Sequence, residues 1–333
     1  MDTILLDHGS GGLASQRLIK EIFVKHLSNQ ILDSLDDAAY LELNGKISFS
    51  TDTYTIDPIF FPGGDIGSLC VSGTVNDIAM LGAIPRYLSC GFIIEEGMDF
   101  DDLEKIVESM ANTAKKAGIY IVTGDTKVVP RGSVDRIFIN TSGVGEVIMD
   151  TPLSGSSACP GDVVIVSGTI GDHGLTIFST RKGISMDFDL KSDCAPLNKL
   201  ILELITRIPQ IHVLRDPTRG GLATTLNEIA LQSNVGIEVK EEDIPIKPGI
   251  KEGCDILGLD PLYLANEGKF ICILPKEYST NALNILQKDE LGKDAKIIGQ
   301  VVDSPKGKVI LETPIGGRRL LSMLEGEHLP RIC

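Results

Sequence analysis

The stretch Arg215-Asp216-Pro217-Thr218-Arg219-Gly220-Gly221 runs into a helix predicted over residues 220–233, and it places carboxylate, arginine and glycine together at the end of an element. Four other segments also combine carboxylates with glycine or small residues: Asp36-Asp37-Ala38, Ser50-Thr51-Asp52-Thr53, Val75-Asn76-Asp77-Ile78 and Thr123-Gly124-Asp125-Thr126-Lys127. Mg²⁺ prefers a few carboxylates together with phosphate oxygens. Glycine lets backbone N–H groups approach phosphate, and helix N-termini favour anions. The five segments together therefore predict a site for a nucleoside triphosphate and Mg²⁺.

Each segment taken alone has a plainer explanation, because aspartates often cap helices and build turns. The sequence has no Gly-x-x-x-x-Gly-Lys-Ser/Thr loop and no Gly-x-Gly-x-x-Gly opening a helix. A nucleotide would therefore bind by a less common scheme. The N-terminal run Asp7-His8-Gly9-Ser10-Gly11-Gly12 is a candidate loop for covering its phosphates.

Composition narrows the class of partner and the compartment. The 333 residues include 46 acidic and 31 basic side chains, for a net charge of −15, which disfavours nucleic-acid or anionic-membrane binding. The N-terminus lacks the pattern of a secretion signal, and no long apolar run predicts a membrane helix. The seven cysteines form no Cys-x-x-Cys pair. We therefore expect a protein of the reducing cytoplasm.

Predicted helices and strands alternate along both halves of the chain, which indicates an α/β or α+β fold. The Pro-, Gly- and Ser-rich stretch 150–161 is the best linker, so the sequence predicts an N-terminal domain over 1–150 and a C-terminal α/β domain over 151–322. Residues 323–333 form a predicted mobile tail, with Gly326 as a hinge and Pro330 as a stiff point.

Within the first domain, apolar spacing predicts a helix over 15–28 and another over 66–81, which Gly67 weakens locally. A further helix is predicted to start at a cap on Asp101 and to end at Gly118. Strands are predicted over 47–56, 119–122 and 137–147.

These motifs carry a resemblance that spans residues 5–333. The acidic segments, together with Leu264-Ala265-Asn266-Glu267-Gly268, resemble the superfamily of aminoimidazole ribonucleotide synthetase, selenophosphate synthetase and thiamine-monophosphate kinase. The terminal Pro330-Arg331-Ile332-Cys333 is similar to the ending of the HypE family of hydrogenase maturation factors.

The resemblance implies a two-domain fold and a homodimer whose N-terminal domains pair their sheets, with ATP bound near the domain cleft and the dimer interface. It also implies a reaction. A HypF-type carbamoyltransferase places a carbamoyl group on Cys333, ATP-dependent dehydration turns it into a thiocyanate, and cyanide passes to iron on a HypC–HypD-type complex.

Site roles follow from the matching motifs. Asp37, Asp52 and Asp125 are the predicted Mg²⁺ ligands, with Asn76 and Asp77 as additional or substitute ligands. Glu267 is the candidate base, and Lys127 balances phosphate charge or assists proton transfer. The remaining predicted nucleotide contacts are Gly9, Gly11, Gly12, Thr126 and Arg219. A surface role for Lys127, a structural role for Glu267, and a pairing of Arg219 with Asp216 are the alternatives.

Cys333 has plainer explanations as a frayed terminal residue or as a buried apolar side chain. The Gly and Pro residues before it favour a thiol that is presented to one partner and then moved into a site. Two other functions stay open: a different ATP-using enzyme of the superfamily, and a carrier that presents Cys333 while a partner does the chemistry. His173, in Gly171-Asp172-His173-Gly174, meets either a ligand or a turn.

Overall fold

A computed structural model of the chain describes residues 3–10, 12–35, 38–151, 153–324, 326 and 329–333. The helices are α1 Leu13–Leu18, α2 Lys25–Leu27, α3 Ile66–Met80, α4 Phe100–Ala117, α5 Asp172–Lys182, α6 Asn198–Arg207, α7 Gly221–Ser233, α8 Pro248–Leu257 and α9 Ser279–Leu286. A π-helical segment, Ile19–Val24, joins α1 to α2. Short 3₁₀ helices cover Leu6–Gly9, Leu32–Ser34, Glu241–Asp243, Pro261–Tyr263 and Lys276–Tyr278.

The strands are β1 Ile47–Tyr54, β2 Phe60–Phe61, β3 Gly64–Asp65, β4 Ala83–Glu95, β5 Tyr120–Val129, β6 Ile137–Val147, β7 Asp162–Val166, β8 Val213–Arg215, β9 Gly236–Lys240, β10 Ile271–Pro275, β11 Lys296–Val302, β12 Lys308–Glu312 and β13 Arg318–Leu320. They form a four-stranded sheet in the N-terminal half, a seven-stranded sheet in the C-terminal half, and a two-stranded ribbon of β2 and β3.

The N-terminal sheet has the order β1-β6-β4-β5, so β1 and β5 are its two edges. Alternate residues of its strands are buried beneath α3 and α4, which pack side by side across one face. The other face leaves large apolar side chains exposed, among them Ile47, Phe49, Ile93 and Tyr120. A half-covered sheet of this kind has an apolar surface available for another partner.

The C-terminal sheet has the order β13-β12-β9-β11-β7-β10-β8 and is covered on both faces. Residues of β7 show this directly. Val164 and Val166 pack in the cluster that contains α7, whereas Val163 and Ile165 pack with α6 and α9. Burial on both sides explains why β7 is apolar at consecutive positions.

The structure confirms the mixed α/β fold with helices and sheets in both halves, and it agrees with the predicted strand 137–147 and helix 66–81. Three details were wrong. The cap of α4 is Asp99 rather than Asp101. The predicted strand 119–122 continues to Val129, so the segment 123–127 is itself strand. The central strand β4 was not predicted, because Pro85 and Gly91 are residues that strands usually avoid.

Helix α3 contains a glycine where another helix approaches closely. A Cβ on Gly67 would lie 2.3 Å from the backbone oxygen of Ile106 in α4. The position therefore sacrifices helix propensity for contact between the two helices.

Among the described residues, no helix is long and apolar enough to cross a lipid bilayer.

Replacing Gly67 with alanine should therefore lower the free energy of unfolding by about 1–3 kcal/mol, the usual cost of overpacking a core, even though alanine favours helix. Urea unfolding followed by circular dichroism measures the change. Gly91→Ala is the matched control, because the nearest atom to its new Cβ is 3.9 Å away. Equal stability of the two variants would contradict this account of the α3–α4 contact.

Candidate active site

The C-terminal residues of the chain lie in a pocket between the two halves, which we call the cysteine pocket. It has a volume of about 410 Å³, and its wall includes Thr53 and Thr55 from the N-terminal half, Arg219 and Ala265 from the C-terminal half, and Cys333 itself. Ile332, the residue before the cysteine, is buried in the apolar core of the N-terminal half. The thiol is therefore brought to the boundary of the two sheets.

Main-chain groups of the tail carry most of the polar contacts that hold it. Arg181 donates hydrogen bonds of 2.7 Å to the carbonyls of Asp57, Pro330 and Arg331. The backbone N–H of Thr55 donates to the carbonyl of Cys333 at 3.0 Å. Arg331 in turn donates to the Thr55 carbonyl at 2.7 Å and pairs with Asp135 at 2.7 Å. The structure thus has the tail docked, and its predicted mobility stays a prediction.

His173 forms the floor beneath the tail. Its Nε2 lies 2.8 Å from the Ile332 carbonyl, which can only accept, so Nε2 carries the proton. Its Nδ1 therefore accepts from the Ser192 hydroxyl at 2.8 Å, and the oxygen of that hydroxyl accepts from the N–H of Cys194. Burial lowers the pKa of His173, which keeps the ring neutral in this role. His173, in the first turn of helix α5, therefore contacts the tail and links it to the loop at 192–194.

Glu267 and Asp52 lie close to Cys333, and two further carboxyl groups, Asp77 and Asp216, interact with them in turn. Burial raises the pKa of three of these four groups. Glu267 is almost fully buried, its pKa lies well above the ordinary value, and its Oε1 has no hydrogen-bond partner within the described parts of the chain. Burial, followed by the neighbouring Asp77, raises the pKa of Asp216 to about 7. Burial likewise raises the pKa of Asp77, against a hydrogen bond from Ser50. The fourth, Asp52, lies 3.7 Å from Arg219.

The thiol itself is held in its neutral form. Burial, and after it the Glu267 carboxyl, raises the pKa of Cys333 to about 12, although the guanidinium of Arg219 donates a hydrogen bond to the sulfur and opposes the rise. Because the thiolate is the nucleophile, a docked Cys333 is unreactive at neutral pH.

Asn76 was predicted as a nucleotide or metal ligand, and in the structure its side chain forms hydrogen bonds with main-chain groups. The amide is almost fully buried and accepts from the N–H of Leu197 at 2.7 Å. It donates to the carbonyls of Ala195 at 3.1 Å and Glu267 at 3.4 Å. These bonds connect α3 to two loops of the C-terminal half, so both the oxygen and the nitrogen of the Asn76 amide are bonded to main chain.

A second pocket, of about 760 Å³, lies under the N-terminal loop, and we call it the loop pocket. Its lining includes Gly9, Asp125, Thr126 and Lys127. Lys127 donates to Asp125 at 2.9 Å and lowers the pKa of that carboxyl. Gly12 caps α1 nearby. Gly11 and Asp37, also predicted site residues, lie outside the described residues.

The predicted site residues therefore form two groups rather than one. Cys333 and Arg219 line the cysteine pocket, with Glu267, Asp52 and Asp77 in the carboxyl cluster next to it, whereas Asp125, Thr126 and Lys127 line the loop pocket. Asp52 lies on β1 and Asp125 on β5, which are opposite edges of the sheet, three strand spacings or about 14 Å apart. A single chain does not bring these two carboxylates to one Mg²⁺ ion.

Comparison with known proteins gives the family. Residues 35–147 match the AIR synthase related protein N-terminal domain, and residues 159–312 match the corresponding C-terminal domain. The carbamoyl dehydratase HypE of Azotobacter vinelandii is 51% identical over 327 residues, which cover 98% of this chain and 96% of that protein. The chain belongs to the HypE family. This confirms the resemblance inferred from the motifs.

Two solved structures of the HypE family extend the comparison. The crystal structure of hydrogenase maturation protein HypE in complex with ATP is 57% identical, with a TM-score of 0.97 over 99% of this chain and 100% of that one. A HypE–HypF complex contains a chain that is 50% identical, with a TM-score of 0.82 over 92% of this chain and 99% of that one. Members of the family have thus been seen with ATP and with HypF.

Several residues of the cysteine pocket were not predicted as HypE-family site residues. Arg181 and Thr55 act through tail carbonyls, and the sequence around them has no glycine or acidic pattern to mark them. Asp216 lies in the stretch 215–221, where the sequence suggests only that it pairs with Arg219. Its proximity to Asp77 depends on the approach of the two halves.

Arg181→Ala should loosen the docked tail and expose Cys333. Losing one hydrogen bond to a charged group costs about 1.5–3 kcal/mol, so the undocked population should rise at least about tenfold. The measurement is the rate of iodoacetamide alkylation at pH 7.5, followed by the mass of the C-terminal peptide. Exposed Cys159 is an internal control whose rate should not change. An unaltered rate at Cys333 would show that Arg181 does not hold the tail.

Proposed function

We propose that this protein dehydrates an S-carbamoyl group on Cys333 to a thiocyanate at the expense of ATP, and so supplies the cyanide ligand for the iron of [NiFe] hydrogenase. The observation that carries the proposal is the position of Cys333, whose thiol lies against Arg219 and close to the buried Glu267 in the cysteine pocket. The carbamoyl dehydratase HypE of A. vinelandii, with its full-length similarity, supports the same reaction.

The chemistry requires the carbamoyl oxygen to leave. Oxide is a poor leaving group, so phosphoryl transfer from ATP first converts that oxygen into a phosphate ester. Loss of phosphate from carbon, with removal of the N–H protons, then gives S–C≡N, ADP and phosphate. The carbamoyl oxygen ends in the phosphate. Phosphoryl transfer needs positive charge around the transferred group, and elimination needs a base near nitrogen.

Groups of the cysteine pocket suit these steps. Arg219 donates to the sulfur of Cys333 and lies near Asp52. A guanidinium at this position would stabilise the negative charge of the transferred phosphoryl group. We assign Glu267 as the base that removes the protons from the nitrogen. Its unpartnered Oε1 is available to accept one, and its raised pKa gives it a stronger affinity for a proton than an exposed glutamate has.

Mg²⁺ fits this donor set. Asp52, Asp77 and Asp216 supply the carboxylate oxygens that Mg²⁺ prefers, and a buried cluster of carboxyl groups with raised pKa values is relieved by a cation. The ion would supply charge neutralisation for the triphosphate. We retain Asp52 as a ligand and propose Asp125 as a ligand contributed from another copy of the chain.

A homodimer would unite the two groups of site residues. The apolar face of the N-terminal sheet is exposed, and the edges β1 and β5 carry Asp52 and Asp125 respectively. If two copies pair their sheets, β1 of one chain can come next to β5 of its partner. The cysteine pocket of one copy would then meet the loop pocket of the other, with Lys127 near the phosphates. The ATP complex of a HypE relative supports a nucleotide in the assembled site.

Loading of the cysteine requires the tail to leave the pocket. A docked thiol with a pKa of about 12 is protonated and enclosed, so a carbamoyl donor cannot use it. We propose that the tail is withdrawn for a HypF-type carbamoyltransferase, returns for dehydration, and is presented again to a HypC–HypD-type iron complex in the cytoplasm. The HypE–HypF complex of a relative supports the first of these encounters.

Cys333→Ala should abolish the modification while leaving ATP binding in place, because alanine lacks the sulfur that carries the carbamoyl group. The measurement is the mass of the C-terminal peptide after incubation with carbamoyl donor and ATP. Wild-type protein should gain a carbamoyl group and then lose one water, and the variant should do neither. A cyanated Cys333→Ala protein would mean that another cysteine is the acceptor.

Mixing two inactive variants should test the shared site. Asp52→Asn and Asp125→Asn should each stop ATP cleavage, because each removes a carboxylate from every composite site. In a mixture that exchanges subunits, the heterodimers regain one intact site, so about a quarter of wild-type activity should return, as two-fold symmetry requires. ATP cleavage by the mixture is the readout, with each variant alone as control. No recovery, despite subunit exchange seen by mass spectrometry, would place both residues in one chain's site or outside it.

A further inference from the structure

Three side chains with metal-binding chemistry meet at one end of the seven-stranded sheet, at the far end of β7 and β8 from the cysteine pocket. Cys159 and His212 lie just before these strands, and Asp162 is the first residue of β7. The thiol sulfur, a ring nitrogen and a carboxylate oxygen all lie within 4.8 Å of one another. These residues line neither the cysteine pocket nor the loop pocket.

A tight turn explains two of the three positions. In Cys159-Pro160-Gly161-Asp162, proline presets the second position and Gly161 adopts a positive φ of 98° at the third, which is typical of a type II turn. The N–H of Asp162 donates to the Cys159 carbonyl at 3.0 Å, and the N–H of Cys159 donates to Asp162 Oδ2 at 2.8 Å. The thiol and the carboxylate therefore leave one rigid turn together.

The third side chain comes from the other side of β10. Strand β10 pairs with β7 and with β8, and the N–H of His212 donates to the carbonyl of Ile273 at 3.0 Å. This anchor directs the imidazole back across the strand, where Nδ1 lies 2.7 Å from Asp162 Oδ2. Asp162 is buried, His212 is partly exposed and Cys159 is exposed, so the cluster is open to solvent on the thiol side.

We propose that Cys159, Asp162 and His212 bind a thiophilic divalent cation, with Zn²⁺ as the best match. Zn²⁺ takes cysteine sulfur at about 2.3 Å and histidine nitrogen or carboxylate oxygen at about 2.0–2.2 Å, with a water completing an open site. Mixed sulfur and nitrogen ligands favour Zn²⁺ over Mg²⁺ or Ca²⁺. The pair of Asp162 with His212 needs no cysteine. The thiol beside it, which donates only at 3.6 Å to the Ser157 carbonyl within the described residues, is the feature that points to a metal.

Binding releases one proton and moves another. The Cys159 thiol loses its proton to solvent when sulfur becomes a ligand. The proton between His212 Nδ1 and Asp162 leaves that nitrogen, and the neutral ring keeps a proton on Nε2 instead. The cation takes its place between nitrogen and oxygen, which in tetrahedral geometry requires the 2.7 Å contact to widen to about 3.4 Å. The bound ion would tie the 150–161 connection to β8 and stabilise that end of the sheet.

The experiment is a Co²⁺ titration of the full-length protein, since Co²⁺ occupies zinc sites and gives a thiolate charge-transfer absorption in the near ultraviolet. We expect one Co²⁺ per chain, displaced by Zn²⁺. Cys159→Ser should abolish the absorption. It should also weaken Zn²⁺ binding by at least roughly 10–100-fold, because the loss of even a residue that hydrogen-bonds to a metal ligand has that effect. The exposed position keeps the variant folded. Zn²⁺ should also raise the melting temperature of the wild type and not of Cys159→Ser.

Cys333→Ser is the matched control, because it removes a different partly accessible thiol. It should keep the absorption and the zinc-dependent rise in melting temperature. The proposal is overturned if wild-type protein shows no thiolate absorption, if Cys159→Ser retains it, or if Cys333→Ser loses it. The last result would place the metal in the cysteine pocket.

Discussion

The side-chain amide of Asn76 is the contact on which the arrangement of the active site depends. It connects α3, which packs on the N-terminal sheet, to the backbone at Leu197 and at Glu267 in the C-terminal half. Because the Glu267 carbonyl accepts one of these bonds, the backbone that carries the Glu267 carboxyl is fixed relative to α3. A buried amide whose groups are all bonded to main chain holds the two halves in one geometry, since any shift would leave a buried polar group unpaired.

Burial of negative charge dominates the electrostatics of the cysteine pocket. The chain carries a net charge of −15, and some of its acidic residues are carboxyl groups near the pocket whose pKa values are raised by burial and by one another. In the docked state the guanidinium of Arg219 donates to the thiol sulfur. Such a site favours the arrival of positive charge, so the affinity for a divalent cation and the protonation of the carboxyls are linked.

Local sequence patterns predicted the elements well and the relations between them poorly. Alternation over Ile137–Val147 gave β6, and apolar spacing with Gly118 gave the end of α4. An alternation of apolar residues, Leu88, Cys90, Phe92 and Ile94, is present in β4 as well. It did not lead to a predicted strand, because Pro85 and Gly91 are residues that strands usually avoid. No local pattern states strand order. The sequence therefore grouped Asp52 with Asp125, which the order β1-β6-β4-β5 separates. It also could not show that Asn76 bonds to main chain of the other half. The tail contacts were invisible for the same reason, since carbonyl groups occur at every residue.

That the tail is held through its carbonyls has a consequence for the reaction cycle. The anchoring groups of Arg181, His173 and Thr55 touch backbone atoms and leave the cysteine side chain out of the contact. In the proposed reaction these contacts would be the same for a thiol, an S-carbamoyl group and a thiocyanate, so they contribute uniform binding. Any preference between these groups would come from Arg219, which donates to the sulfur in the docked state. Under the proposed function, release of the finished product would therefore depend on events around the sulfur, such as loss of the nucleotide products or capture by the next protein.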